Sequence, residues 1–264
     1  MQKIPIIGFG TWEITGQTCT EAVEAALKMG YRHIDTADAY GNHKEVGKGI
    51  KKSGVPREKI FLTSKVWYDK LHHDEVISSA ERFLKELQTD YLDLLLIHWP
   101  NPAVPIKETL SAMQELQKQK KVRTIGVSNF TIPFLKEALA TKIPLMNLQV
   151  EFHPSFYQKE LKKFCDKNEL VLTAYSPIGH GHDLKIPLIQ DLAKKYEKTP
   201  SQIILSWLIQ KNIVVIPRSS SPERIKENLD ATVFTLKAED SAKIDALKEQ
   251  QRQINPSWAV FDRS

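Results

Sequence analysis

Eight short runs of apolar, often β-branched residues recur along the chain. Between them lie segments whose apolar residues are three and four positions apart, as in a helix with one buried face. The runs occupy residues 6–10, 31–34, 60–64, 91–97, 122–127, 145–150, 170–174 and 213–216. Near-continuous apolar runs are typical of parallel strands that are covered on both faces. Eight strand–helix units in 264 residues, about 33 residues each, predict an α/β protein, a (β/α)8 TIM barrel that forms a single domain over residues 1–264.

A doubly wound open sheet is the alternative arrangement for alternating strands and helices. No G-x-G-x-x-G sequence follows any of the eight runs, so the usual dinucleotide fingerprint of that fold is missing. Two helix starts are marked by a capping threonine and a first-turn proline, at Thr131 with Pro133 and at Thr199 with Pro200. The barrel is therefore the predicted fold.

Composition excludes several other classes of protein. With 41% hydrophobic and 26% charged residues, the chain is typical of a globular protein and not of a disordered or fibrous one. No window approaches ~18 uninterrupted apolar residues, and the first residues lack the features of a signal peptide. Cys19 and Cys165 match no metal or redox spacing and are expected to be reduced, which predicts a cytoplasmic protein.

The net charge of +5 does not by itself indicate a nucleic-acid partner. The basic residues are spread over helical segments, without the concentrated basic face and stacking aromatic residues that such binding needs. A small anionic ligand fits a mild positive excess equally well. We predict a monomer that binds a small-molecule carbonyl substrate, with no nucleic-acid partner and no membrane partner.

In a parallel barrel, functional side chains lie at the carboxyl ends of the strands. The residues that follow the eight runs are Thr11 and Trp12, Asp35, Lys65, His98 and Trp99, Ser128 and Asn129, Gln149 and Glu151, Tyr175 and Ser176, and Pro217 to Ser219. One polar residue there is unremarkable, because loops and helix caps are polar. A lysine, an aspartate and a histidine that converge on one mouth indicate a site.

Tyr40 follows Asp35 by five residues and would lie over the same mouth. A tyrosine hydroxyl with a pKa of ~10 is a poor proton donor unless its phenolate is stabilised. The ammonium of Lys65 would supply that stabilisation, and the carboxylate of Asp35 would hold the lysine charged. His98 would donate a hydrogen bond to a substrate carbonyl, so these four residues are predicted to be catalytic.

Six segments of the chain closely resemble the motifs of the aldo-keto reductases. They are residues 30–42, 96–100, 125–130, 149–154, 174–177 and 216–219. The resemblance spans about residues 5 to 260, and the short C-terminal tail is most similar to the bacterial diketogluconate and methylglyoxal reductases. It implies that Tyr40 is the proton donor, supported by Lys65 and Asp35, and that His98 orients the carbonyl.

The resemblance also implies a cofactor site for NADPH (NADP+). Ser128, Asn129 and Gln149 match the positions that hold the nicotinamide carboxamide, and Tyr175 matches the aromatic residue that stacks on the ring. The remaining cofactor positions are Thr11 and Asp35, Ser176 and Ile178 at the pyrophosphate, Arg218, Ser219 and Arg224 at the 2′-phosphate, and Glu227 and Asn228 at the adenine. Arg218 replaces the family's usual lysine, so NADH is expected as a possible but weaker alternative.

Other features of the sequence have lesser roles. His43 stands where the family often has a glutamate, and little effect is expected. Trp12, Trp67 and Trp99 follow strands one, three and four and are predicted to form, with His98, an aromatic rim for substrate. No metal site is predicted, because the loop at 180–183 offers few ligands. His153, beside a proline, is expected to be a structural histidine.

The predicted function is NADPH-dependent transfer of a hydride between nicotinamide and a small aldehyde, ketone or dicarbonyl, such as methylglyoxal or a diketo sugar acid. A non-catalytic NADPH-binding regulatory or sensor subunit is the alternative, and the four filled catalytic positions weigh against it. A phosphate-sugar isomerase on the same barrel would need a glycine-rich phosphate loop after strands seven and eight, which the sequence lacks.

Overall fold

A computed structural model describes residues 3–248 and 250–261. Its eight strands are β1 (Phe9–Gly10), β2 (His33–Asp35), β3 (Phe61–Val66), β4 (Leu92–Ile97), β5 (Val122–Ser128), β6 (Asn147–Glu151), β7 (Val171–Tyr175) and β8 (Val214–Val215). They follow one another in the order β1 to β8, and every adjacent pair is parallel. Each of the eight predicted runs overlaps one of these strands.

The sheet closes on itself between its first and last strands. Ile7 forms a parallel bridge with Val215, and the amide of Gly8 donates to the carbonyl of Val215 at 2.8 Å. At Gly10, a Cβ atom would lie 2.8 Å from the carbonyl oxygen of Ile216, so a side chain there would push the two strands apart. The closure confirms the predicted barrel, with β1 and β8 shorter than the apolar runs that contain them.

Helices connect the strands around the outside of the barrel. They are α1 (Gly16–Met29), α2 (His43–Ser53), α3 (His73–Leu87), α4 (Ile106–Lys118), α5 (Ile132–Ala140), α6 (Lys159–Lys167), α7 (Pro187–Tyr196), α8 (Pro200–Gln210), α9 (Pro222–Leu229) and α10 (Ala238–Asp245). Thr199 caps α8 in a reciprocal pair of hydrogen bonds with Gln202, as a capping residue should. Thr131 occupies the cap position of α5 without a side-chain cap bond. Within the described residues, no helix is both long enough and apolar enough to cross a membrane.

Strand β3 illustrates how the barrel aims its side chains. Successive residues of a strand point to opposite faces. Ser64 faces outward and contacts His43 of α2 at 2.8 Å, while Thr63 faces inward and contacts His33 of β2 at 3.1 Å. Lys65, the next residue after Ser64, therefore points into the barrel near its carboxyl-end mouth, where the predicted site lies.

Candidate active site

A cavity of about 980 Å³ opens at the carboxyl ends of the strands. Seventeen of the predicted site residues line it: Thr11, Trp12, Asp35, Tyr40, Trp67, His98, Trp99, Asn129, Gln149, Tyr175, Ser176, Ile178, Arg218, Ser219, Arg224, Glu227 and Asn228. Lys65 and Ser128, the other two, lie directly behind this lining and are fully buried. The structure thus gathers residues from all eight strand ends around one cavity.

Lys65 is the centre of a buried polar group. Its ammonium donates to the carboxylate of Asp35 on the adjacent strand, to the carbonyl of Thr36 at 3.0 Å, and to the hydroxyl of Tyr40 at 3.3 Å. Tyr40 lies in a short 3₁₀ turn, Asp38–Tyr40, three residues after β2 ends. Strand pairing and this turn together bring the three side chains into contact.

Burial raises the pKa of Tyr40 above its ordinary value, although the charge of Lys65 opposes that rise. Lys65 therefore favours the phenolate, as predicted, but burial is the larger effect and sets the net direction of the pKa. Burial also works against the charged form of Lys65, but Asp35 and the hydrogen bonds of the group raise its pKa overall. The lysine thus stays charged, and the tyrosine stays protonated and able to donate.

His98 borders this group as a neutral imidazole. Burial, and then the charge of Lys65, hold the pKa of His98 well below its ordinary value. Its ring packs edge-on against Tyr40, with centroids 5.8 Å apart, and against Trp67, with centroids 5.0 Å apart. Its Nδ1 atom is buried and has no hydrogen-bond partner within the described residues. A neutral imidazole carries one N–H, which suits a residue that donates a single hydrogen bond to a carbonyl oxygen.

The side chains of Asn129, Gln149 and Tyr175 line the cavity beside Lys65, Asp35 and Tyr40. Asn129 accepts a hydrogen bond from the hydroxyl of Tyr175 at 2.8 Å, and Gln149 donates to the second carboxylate oxygen of Asp35 at 2.8 Å. Asn129 has a positive φ of 62°, a conformation that asparagine tolerates better than most residues. Ser128 lies beneath it, and its hydroxyl accepts from the Asn129 amide at 3.2 Å. Internal hydrogen bonds therefore hold the amides of Asn129 and Gln149 in place at the cavity wall.

The far end of the cavity is built around the amino terminus of α9. Ser221 caps this helix by accepting from the amide of Arg224 at 3.3 Å. The side chains of Arg218, Ser219 and Arg224 line the cavity at this end. Helix amino termini and arginines both favour anions, so this end is suited to a phosphate group.

Two carboxylates lie near these arginines. Glu13, in the loop after β1, is 3.4 Å from the guanidinium of Arg218, and both side chains are about half exposed. Glu227 accepts from the hydroxyl of Thr199 at 2.6 Å, which fixes it at the cavity wall beside Asn228. Sequence reasoning did not detect the pair of Glu13 and Arg218, which are 205 positions apart.

Aromatic side chains surround the mouth next to Tyr40 and His98. Trp12, Trp67 and Trp99 line the cavity as predicted. Trp258, in the C-terminal segment 250–261, joins them: it stacks on Tyr68 with centroids 4.5 Å apart and contacts the edges of Trp67 and Trp99. Trp258 is not among the site residues predicted from the sequence.

Two other histidines, His180 and His43, have different surroundings from His98. His180 lines the cavity, contacts Ser176 at 3.0 Å and packs edge-on against Trp12. Within the described residues, no group of three or more histidine, cysteine, aspartate or glutamate side chains is arranged so that it could hold a metal ion. His43 lies outside the barrel between Ser64 and Glu86, where it packs on Phe83.

The fold and this site define the class of protein. A charged lysine beside a half-buried, protonated tyrosine, with a neutral histidine next to them, is suited to donate a proton to a carbonyl oxygen. The same cavity extends to the arginine-lined end at α9, which is suited to a phosphate group. The protein is therefore an oxidoreductase built on a (β/α)8 barrel.

Comparison with known proteins identifies its family. The sequence model of the "Aldo/keto reductase family" matches residues 6–249, and the chain belongs to that family. It is 44% identical to the glyoxal reductase of Bacillus subtilis over 98% of this chain and 95% of that protein. It is 41% identical to the glycerol 2-dehydrogenase (NADP(+)) of Saccharomyces cerevisiae over 98% and 93%. The crystal structure of an aldo-keto reductase from a Medee basin deep-sea metagenome library superimposes with a TM-score of 0.94, at 40% identity, over 98% of this chain and 97% of that chain.

Proposed function

We propose that the protein reduces small, uncharged aldehydes, ketones and dicarbonyls with NADPH. The observation that carries the proposal is the contact of the half-buried Tyr40 hydroxyl with the buried, charged Lys65, 3.3 Å apart, at the wall of a cavity of about 980 Å³. We also propose that all of residues 1–264 act as one domain, and that the protein is monomeric and cytoplasmic.

NADPH bound in the cavity supplies the hydride for the carbonyl carbon. Tyr40 donates its proton to the carbonyl oxygen, and Lys65 lowers the cost of the phenolate that remains. Asp35 keeps Lys65 charged and aimed, through the ion pair between β2 and β3. His98 donates the hydrogen bond that orients the carbonyl, which a neutral ring can do without transferring its own proton.

NADPH is the proposed cofactor, in preference to NADH. A 2′-phosphate carries close to two negative charges, which the arginines at 218 and 224 and the amino terminus of α9 favour. We expect kcat/KM with NADPH to exceed that with NADH by at least ~10-fold, the equivalent of one strong charged contact at about 1.4 kcal/mol. Equal efficiency at low salt would contradict the proposed roles of Arg218 and Arg224.

The proposed substrate preference follows from the mouth of the cavity. Tyr40 and His98 are surrounded there by Trp12, Trp67, Trp99 and Trp258, none of which carries a charge. An apolar aromatic wall accommodates a small neutral carbonyl, while a carboxylate would lose its hydration without gaining a cation. The glyoxal reductase of Bacillus subtilis, at 44% identity, supports a dicarbonyl substrate.

The test is the loss of NADPH absorbance when methylglyoxal is added, repeated with a diketo sugar acid. We expect rapid oxidation of NADPH with methylglyoxal and a lower kcat/KM with the charged substrate. The alternative, a non-catalytic NADPH-binding regulator, predicts tight NADPH binding without turnover of any carbonyl. A higher kcat/KM for the charged acid would contradict the substrate preference while leaving the reaction class intact.

A further inference from the structure

A fully buried histidine lies between two buried carboxylates outside the catalytic group. In His153, Nε2 is 3.0 Å from the carboxylate of Glu151, and Nδ1 is 2.9 Å from that of Asp183. A neutral imidazole has one N–H and would turn a lone pair towards one of the two carboxylates. Because the pKa values of Glu151 and Asp183 are both lowered, both groups are carboxylates, and hydrogen bonds at both nitrogens then require the doubly protonated, cationic ring.

The charges around the ring agree with this assignment. Burial opposes the cation, but the hydrogen bonds and charges of Asp183 and Glu151 raise the pKa of His153 overall. Despite its burial, hydrogen bonds to His153 and Ser155 lower the pKa of Asp183 to about 2. The imidazolium thus neutralises one of the two buried negative charges.

Asp183 ties the histidine to loop 176–186, which joins β7 to α7. Its carboxylate accepts from the amide of Ser155 at 2.9 Å and from the hydroxyl of Ser155 at 2.5 Å. Gly179 in the same loop has a φ of 55°, and a Cβ atom there would lie 2.7 Å from Asp183 and 3.2 Å from the ring of His153. The loop backbone thus packs directly on the charged pair, and its residues Ser176 and Ile178 line the cavity.

Glu151 ties the same histidine to the tail, the segment 250–261. Its two carboxylate oxygens accept from the backbone amides of Gln253 at 2.6 Å and Ile254 at 3.0 Å. The amide of Gln251 donates to the carbonyl of Ser155 at 2.7 Å, so the tail also contacts the residue that binds Asp183. Ile254 lines the cavity, four residues before Trp258.

We propose that the His153 imidazolium is a positioning residue that holds loop 176–186 and the tail against the barrel, and so controls how tightly NADPH is retained. The effect on NADPH retention rests on the proposed function, whereas the fastening of loop 176–186 and the tail to the barrel does not. Without the cation, two buried carboxylates are left uncompensated, which is a costly arrangement. The other ionisable groups facing this cluster are His182, 3.1 Å from Asp183, and Tyr175, which feels the charges of both Glu151 and Arg252. The two segments would then separate from the barrel before the strands do.

Hydrogen exchange of the free protein tests the fastening without cofactor or turnover. In His153→Gln we expect backbone amides in 179–186 and 251–254 to exchange at least about tenfold faster, while amides of β3 and β4 keep their protection. His182→Gln is the matched control, because that histidine contacts Asp183 from a partly exposed position. We expect its exchange to equal that of the wild type.

Cofactor binding supplies the second readout. We expect the NADPH dissociation constant of His153→Gln to rise about tenfold, while kcat at saturating NADPH and substrate stays within about threefold, because the catalytic group is untouched. If His153→Gln does not fold, Ser155→Ala replaces it. That variant removes the hydroxyl bond to Asp183 and should accelerate exchange in 179–186 but not in 251–254.

Several results would overturn the proposal. Unchanged exchange in both segments, or acceleration spread equally over the strands, would make His153 an ordinary core residue. Faster exchange in the segments with an unchanged NADPH constant would overturn its role in retention. If no variant or wild type binds NADPH at all, the proposed function fails, and the exchange data still decide whether the segments are fastened.

Discussion

Replacing Lys65 by methionine should separate the electrostatic role of this lysine from the rest of the site. The variant removes a fully buried ammonium and its three hydrogen bonds, and it leaves Asp35, which is 1% exposed, without its cation. Removing one partner of a buried ion pair costs about 3–5 kcal/mol. In a domain of this size each kcal/mol lowers the Tm by roughly 2–4 °C, so a decrease of roughly 6–20 °C is expected.

Turnover in Lys65→Met should also fall, by a factor on the order of 10² to 10⁴, the usual scale of general acid catalysis. Lys65 opposes the effect of burial on the pKa of Tyr40, so its removal raises that pKa further and makes the phenolate harder to form. The assay is single-turnover oxidation of NADPH by methylglyoxal, together with thermal unfolding followed by circular dichroism.

A double variant distinguishes the two effects. Adding Asp35→Asn to Lys65→Met removes the buried carboxylate charge that Lys65 no longer balances. Much of the lost stability should therefore return, while turnover stays low. Lys163→Met serves as the control, since that lysine is 62% exposed and its loss should change stability by less than about 0.5 kcal/mol. Recovery of turnover in the double variant, or an unchanged Tm in Lys65→Met, would refute the reasoning.

Three further changes test the ends of the cavity. Arg224→Ala should raise the NADPH dissociation constant by about tenfold and leave that of NADH nearly unchanged, as measured by fluorescence titration. Glu13→Gln releases Arg218 from an exposed pair and should tighten NADPH binding by at most about fivefold, an effect that high salt removes; weaker binding would contradict it. Trp258→Ala removes the ring stacked on Tyr68 and should raise the KM for methylglyoxal several-fold with little change in kcat, and a large fall in kcat would contradict a wall role.

The barrel and the residues at its strand ends could be predicted because both depend on local patterns, whereas the roles of the cofactor residues came from the family resemblance. Apolar runs mark the strands, and the residue after each run lies at the mouth, so Lys65 and His98 are found without any knowledge of contacts. Alternation along a strand then decides which side chains face inward, as Ser64 and Lys65 demonstrate. These relations hold over a few residues and do not need the tertiary structure.

What could not be predicted depends on distant parts of the chain. The tail brings Trp258 to Tyr68, and no local pattern fixes that approach. The cationic state of His153 requires two carboxylates, one of them 30 positions away, so the sequence indicates only a structural histidine. The raised pKa of Tyr40 follows from burial, a property of the folded molecule as a whole.

The most direct test of the central claim is hydride transfer in Tyr40→Phe. With NADPH and methylglyoxal in a single turnover, and a deuterium isotope effect to establish that chemistry is observed, the rate should fall by a factor on the order of 10² to 10⁴. The NADPH dissociation constant should stay within about threefold of the wild type, because the hydroxyl contacts Lys65 and is not among the side chains proposed to hold the cofactor. A variant that keeps more than about a tenth of the wild-type rate of hydride transfer would contradict the assignment of Tyr40 as the proton donor.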